Sequence, residues 1–301
     1  MMLRTETLDI ALISGYRRAL DFLELTKPRV VLMVLVTAFV GFYLGSEPIP
    51  DYFRPILMLI GTALAAGGTL ALNQFLERDA DALMERTRRR PLPDGRIQPS
   101  EALLFGVLVT VGGLLILWLT VNPMSSLVTA FIAGSYLLIY TPIKQKSSLC
   151  GIIGAVPGAL PPVIGWTAAR GEFGLEAWVL FAILFLWQVP HTLAIAKLYR
   201  DDFAKAGIRF LPVIEPDGRS TGRQIIGHCL ALLSVSLLPT LLGLAGSLYF
   251  LVALLLGASF LACGVGLAIS QSLAAARRLL LASLIYLPVL LVVMALDRVP
   301  L

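Results

Sequence analysis

Charge is scarce in these 301 residues: Asp, Glu, Lys and Arg make up 14% of the chain against 57% hydrophobic residues. A soluble protein of this length needs far more polar surface, so a soluble globular class is excluded. Cysteine is scarcer still. Cys150, Cys229 and Cys263 stand far apart in apolar surroundings with no CxxC pair, which argues against a thiol redox or thiolate-metal role. The first 25 residues lack a signal-peptide core, and Glu6, Asp9, Asp21 and Glu24 are out of place in an acid-poor transit peptide. The net charge of +5 does not describe a nucleic-acid binder, because no basic surface sits on a soluble domain.

What is present is a series of long apolar runs. Nine spans are expected, at about 29–46, 54–76, 101–121, 124–140, 149–168, 175–197, 224–244, 247–270 and 276–296. The expected fold class is therefore all-α, a polytopic membrane protein with about nine transmembrane helices around a central cavity. Of the 24 Lys and Arg residues, all but Arg54, Arg170 and Arg298 fall on the side that holds the N-terminus. The positive-inside rule then places the N-terminus in the cytoplasm and the C-terminus outside. Leu8, Ile10, Leu12, Ile13, Leu20, Phe22 and Leu23 suggest that residues 1–25 lie along the cytoplasmic interface, ahead of a single transmembrane domain over 26–301.

Two connections are long, 77–100 and 198–223, and both fall on the cytoplasmic side. If spans one to four and five to eight are paired, these loops occupy equivalent places, which suggests a four-helix unit used twice with a ninth helix added. Span five carries Gly151, Gly154, Gly158 and Gly165 with Pro157, Pro161 and Pro162. In span six, Pro190 takes the donor away from the Leu186 carbonyl. These are either ordinary kinks or broken helices lining a cavity.

The chemistry concentrates in ALNQFLERDADALMERTRRRPLP, residues 71–93. Asn73, Glu77 and Asp81 recur at i, i+4 and i+8, so on a helix they share one face, about 6 Å apart along the axis. Three oxygen-bearing side chains in one line repel each other unless a hard cation joins them, and Mg²⁺ prefers carboxylate oxygen shared with substrate phosphate. A solvated helix end is the alternative reading of the same spacing. Asp79 points off this face, and it and Glu85 read as solvent or salt-bridge groups. The second loop opens with KLYRDDFAKAG, where Asp201 and Asp202 supply opposing carboxylates beside Lys197, Arg200 and Lys205. Arg86, Arg88, Arg89, Arg90, Lys144 and Lys146 complete a possible clamp for a Mg²⁺-bound diphosphate, with simple cytoplasmic retention charge as the plainer account. A secondary transporter would instead place its ionisable residues near the bilayer midplane.

Five stretches carry a resemblance: LTKPRVVLMVLVTAFVG (25–41), NQFLERDADALMERTRRRPL (73–92), GALPPVIGW (158–166), FLWQVPH (185–191) and YRDDFAKAG (199–207). With them the chain resembles the intramembrane prenyltransferase superfamily that includes 4-hydroxybenzoate polyprenyltransferase. LTKPR, ERTRRRPL and WQVPH together resemble its haem branch, the protoheme IX farnesyltransferases. The resemblance implies transfer of a farnesyl group from farnesyl diphosphate to haem b, with Mg²⁺ as cofactor, in a bacterial inner membrane. The alternative acceptor is an aromatic or quinone precursor. It further implies contact with membrane lipid, and with haem A synthase or terminal-oxidase assembly proteins as candidate recipients of the product.

Carried over by position, the resemblance makes Asn73, Glu77, Asp81 and Asp202 the catalytic metal–diphosphate residues. Lys27, Arg29, Arg86, Arg90, Lys144 and Lys197 become diphosphate contacts. His191, Trp187 and Gln188 are candidate haem contacts, with helix packing as the other reading of all three. The chain departs from the family at Gln145, between Lys144 and Lys146, and at Ile208-Arg209-Phe210 after the AG pair.

Overall fold

A computed structural model describes residues 15–46, 52–215 and 217–299. The expectation for residues 1–14, including Leu8 to Ile13, lies outside the described residues. Among those described, nine helices are long and apolar enough to cross a membrane. In chain order the spans are Pro28–Gly45, Phe53–Ala82, Pro99–Val121, Pro123–Ile143, Cys150–Arg170, Leu175–Leu198, Arg219–Leu241, Ser247–Ser270 and Leu273–Leu296. Their outer faces leave large apolar side chains such as Leu104, Leu119, Leu255 and Ile285 uncovered, as lipid-facing surfaces require. The protein is a multi-pass membrane protein.

Close helix packing depends on the absence of side chains at a few points. A Cβ at Gly165 would fall 1.8 Å from the Ala38 carbonyl oxygen, and one at Gly41 would fall 2.0 Å from that of Pro162. The first and fifth spans therefore touch backbone to backbone, as small residues allow in a membrane. Elsewhere the interior is sealed by apolar packing around Trp166, Tyr249, Phe260 and Tyr286. The buried phenols are satisfied: Tyr249 donates to the Ser236 carbonyl at 2.8 Å, and Tyr286 shares a 2.6 Å contact with Ser236 Oγ.

The fifth span is two helices, Cys150–Ala159 and Pro161–Arg170, parted at Leu160 where Pro161 begins the second. The sixth span is not broken. It runs from Leu175 through Pro190 to Leu198, so of the two readings a broken helix holds for the fifth span and not for the sixth. The fourth span contains a π-helical segment, Ser135–Tyr140, just before Thr141.

Residues 15–25 form a helix that is exposed on one side and buries Leu25 on the other, against Ala71, Leu92, Ile97 and Ala102. A groove of about 590 Å³ runs between this helix and the third span, lined by Phe22, Leu23, Leu104 and Leu108. Arg96 ties the helix to the first long loop, bonding Asp21 and, at 3.0 Å, both Glu24 and Asp94. Burial works against its charge, but these three carboxylates raise the Arg96 pKa above the ordinary arginine value.

Candidate functional site

The second span continues past the expected end of its apolar run and carries Asn73, Glu77 and Asp81 on its last turns. All three face inward. Asn73 and Asp81 are buried and Glu77 is partly so, whereas the Asp79 side chain is 89% exposed beside Arg78. Asn73, Glu77 and Asp81 therefore share one face of the helix, as their i, i+4, i+8 spacing predicts.

Each of these groups meets a cation. Lys27 Nζ is 3.2 Å from Asn73 Oδ1, Lys144 Nζ is 2.7 Å from Glu77 Oε1, and Arg90 Nη1 is 2.6 Å from Asp81 Oδ2. Asp202 closes the far side, its Oδ2 accepting from the Arg86 backbone N–H at 3.4 Å. The Arg86 guanidinium lies over the rings of Tyr199 and Phe203. Four positions distant in sequence thus converge at the same end of the bundle.

Lys27 reaches its place at a backbone cost. It caps the first span with φ 50° and ψ 66°, a left-handed conformation that favours glycine, immediately before Pro28. Such a conformation costs a non-glycine residue about 1–2 kcal/mol. Burial and the nearby Arg90 guanidinium pull the Lys27 pKa down to about 7, against the opposing pull of Glu77 and Asp81. At Lys144 burial also opposes charge, but Tyr140, Tyr136 and Glu77 more than offset it and raise the pKa. Burial and Arg90 lower that of Arg86.

Several participants carried no sequence signal. Thr141 Oγ1 accepts from Asn73 Nδ2 at 3.1 Å and donates to the Tyr136 carbonyl, five residues earlier, at 2.8 Å. Tyr140 and Tyr136 place their rings 4.3 Å and 5.8 Å from Lys144 Nζ. Thr87 Oγ1 donates to the Asp81 carbonyl at 2.8 Å, folding the loop back onto the helix end.

Two further expected diphosphate contacts have other surroundings. Lys197 turns to Gln271 Oε1 at 3.4 Å, and Arg29 is exposed. The departures at Gln145 and Arg209 have a structural role instead. Gln145 Nε2 donates to the Ala206 carbonyl at 3.1 Å and Arg209 N–H to the Lys144 carbonyl at 2.8 Å, so they join the Lys144 loop to the Asp202 loop.

The candidate haem contacts form a second cluster. Trp187 stacks on His191 with ring centroids 4.7 Å apart, and Trp187 Nε1 donates to the Ser283 carbonyl at 2.9 Å. Gln188 occupies space that Gly158 leaves open, since a Cβ there would fall 2.3 Å from its Oε1.

Residues 34–290 match the model of the UbiA prenyltransferase family. The chain is 47% identical over 287 residues to a protoheme IX farnesyltransferase of Solibacter usitatus, covering 92% of this chain and 98% of that one. It is 40% identical to the protoheme IX farnesyltransferase of Myxococcus xanthus, covering 94% and 96%. In fold it is similar to a UbiA homologue from Archaeoglobus fulgidus solved with GPP and Mg²⁺, with a TM-score of 0.67, 17% identity, and 91% and 99% of the two chains covered. The chain belongs to the UbiA prenyltransferase family, and it is similar over nearly all its length to that family's protoheme IX farnesyltransferases.

Proposed function

We propose that the protein transfers the farnesyl group of farnesyl diphosphate to a vinyl group of haem b, with addition of water, giving haem O and diphosphate. The observation that carries the diphosphate half is the set of matched pairs Lys27–Asn73, Lys144–Glu77 and Arg90–Asp81 at one end of the bundle. Identity to protoheme IX farnesyltransferases over most of the chain supports haem as the acceptor rather than a benzoate or quinone precursor.

Asn73, Glu77, Asp81 and Asp202 would hold Mg²⁺. All four offer hard oxygen donors, but among the described residues no three His, Cys, Asp or Glu side chains are grouped to hold a metal ion by themselves, so the substrate phosphates would have to supply the rest of its shell. That donor set fits an ion which completes its shell with substrate phosphate oxygens. When bound, Mg²⁺ would supply charge neutralisation on the diphosphate.

Lys27, Lys144, Arg86 and Arg90 then exchange protein partners for phosphate oxygens, Arg through planar forks and Lys as point charges. Their charge stabilises the departing diphosphate, so the allylic C–O bond ionises. The farnesyl cation bonds to the terminal vinyl carbon, and the positive charge passes to the carbon next to the porphyrin. Water adds there and loses a proton to bulk solvent, leaving a hydroxyl. The apolar helices keep water from the first cation. No Ser, Cys or Lys nucleophile is required.

The same reading puts the acidic end on the cytoplasmic face of a bacterial inner membrane, where the diphosphate is soluble. The test is mass analysis after incubating purified protein with haem b, farnesyl diphosphate and Mg²⁺. A haem heavier by one farnesyl group and one hydroxyl is expected, and unmodified haem would refute the proposal.

A further inference from the structure

Ser283, on the ninth span, is fully buried and belongs to no motif, yet both His191 and Trp187 are fastened to it. Its Oγ lies 2.6 Å from the Leu280 carbonyl oxygen and 2.7 Å from His191 Nδ1. A carbonyl oxygen only accepts, so the Ser283 hydroxyl donates its single proton to Leu280. The contact with His191 must run the other way. Nδ1–H donates to Ser283 Oγ, and the lone pair is left on Nε2.

Two further features fix the ring. The Trp187 indole stacks on it with an interplanar angle of 20°, and that indole is itself held by its hydrogen bond to the Ser283 carbonyl. His191 Nε2 has no hydrogen-bond partner among the described residues and is not sealed in the interior. A neutral imidazole with Nδ1–H restrained and Nε2 bare is the form that ligates a transition metal.

We propose that His191 Nε2 is an axial ligand to the iron of the haem acceptor, and that Ser283 is the positioning residue that sets its tautomer and orientation. The inference rests on the haem reading above and names the group that holds the acceptor. One axial bond sets the porphyrin plane across the Nε2 axis and confines the vinyl groups to a circle about it. The other histidine, His228, places Nδ1 2.8 Å from the Gln224 carbonyl of its own helix, with no side-chain partner comparable to Ser283. It serves as the internal control.

The experiment is titration of the purified full-length protein with haem b and, in parallel, with iron-free protoporphyrin IX, read by optical and EPR spectra and by fluorescence. Wild type should bind haem b with a nitrogen-ligated spectrum that His191→Ala abolishes and His228→Ala leaves intact. Ser283→Ala should weaken haem b binding by about 10–100-fold, with protoporphyrin IX binding nearly unchanged. Ser283→Thr, which keeps the hydroxyl, should restore it. Equal loss for both porphyrins in Ser283→Ala would reduce Ser283 to a packing residue and overturn the proposal. A wild-type spectrum in His191→Ala, from a protein whose wild type still farnesylates haem b, would overturn the ligand assignment alone. A wild type that neither binds nor modifies haem b would overturn the functional reading with it.

Discussion

Arg90 Nη1 sits 2.6 Å from Asp81 Oδ2, and Asp81 is only 1% exposed. On the proposed reading, the acid assigned to the metal is held, before substrate arrives, by a cation assigned to the phosphate. Removing Arg90 strands a buried carboxylate, which costs about 3 kcal/mol. Arg90→Ala should therefore lower thermal stability in detergent and raise the farnesyl diphosphate requirement. Haem b binding, which the proposal assigns to His191, should survive. A variant as stable as wild type would mean that Asp81 does not depend on Arg90 for its place in the fold.

Asp79 and Asp81 are two residues apart but face opposite ways. Asp81→Ala should abolish turnover in a protein still folded in the membrane, and Asp79→Ala should be much milder. Steady-state assays of both, normalised to membrane content, decide it. Equal losses would undo the assignment of one functional face.

Lys27 occupies a left-handed backbone position that glycine fills without strain. Lys27→Gly should stay within about 1 kcal/mol of wild-type stability. It should nonetheless need more farnesyl diphosphate for turnover. A large loss of stability would show that the ammonium holds the fold rather than the substrate.

Glu215 gives a pH prediction away from the site. Its carboxylate accepts from the backbone N–H groups of Ser220 and Thr221 at 2.7 and 2.9 Å, capping the seventh span. Burial works to raise its pKa, but those hydrogen bonds bring it down to about 2 from 4.5. The folded pKa is depressed, so the cap stabilises above the ordinary value of 4.5 and is lost as pH falls towards 2. Glu215→Gln should remove that pH dependence and cost about 1 kcal/mol near neutrality. Unfolding curves of both forms from neutral to acid pH check it, and parallel curves would contradict the cap.

The spans and the Asn73, Glu77, Asp81 face were legible because hydropathy and helical spacing are local properties of the chain. The boundary of the second span was harder, since charged residues ended the apolar run while the helix itself ran on to Ala82. Lys197 and Arg29 were carried over by position from the resemblance, which could not foresee that Lys197 Nζ also lies within reach of Gln271. Prolines were ambiguous for a physical reason. Pro161 starts a new helix after Leu160, while the sixth span continues as one helix through Pro190. Thr141, Tyr136, Tyr140 and Ser283 were invisible because their roles arise only when distant spans meet.

The proposed function joins a diphosphate site to a haem acceptor. Its most direct measurement offers purified protein haem b and 4-hydroxybenzoate together, with farnesyl diphosphate and Mg²⁺, and resolves the products by mass. Farnesylated, hydroxylated haem and untouched benzoate are expected; prenylated benzoate beside unmodified haem would refute haem as the acceptor.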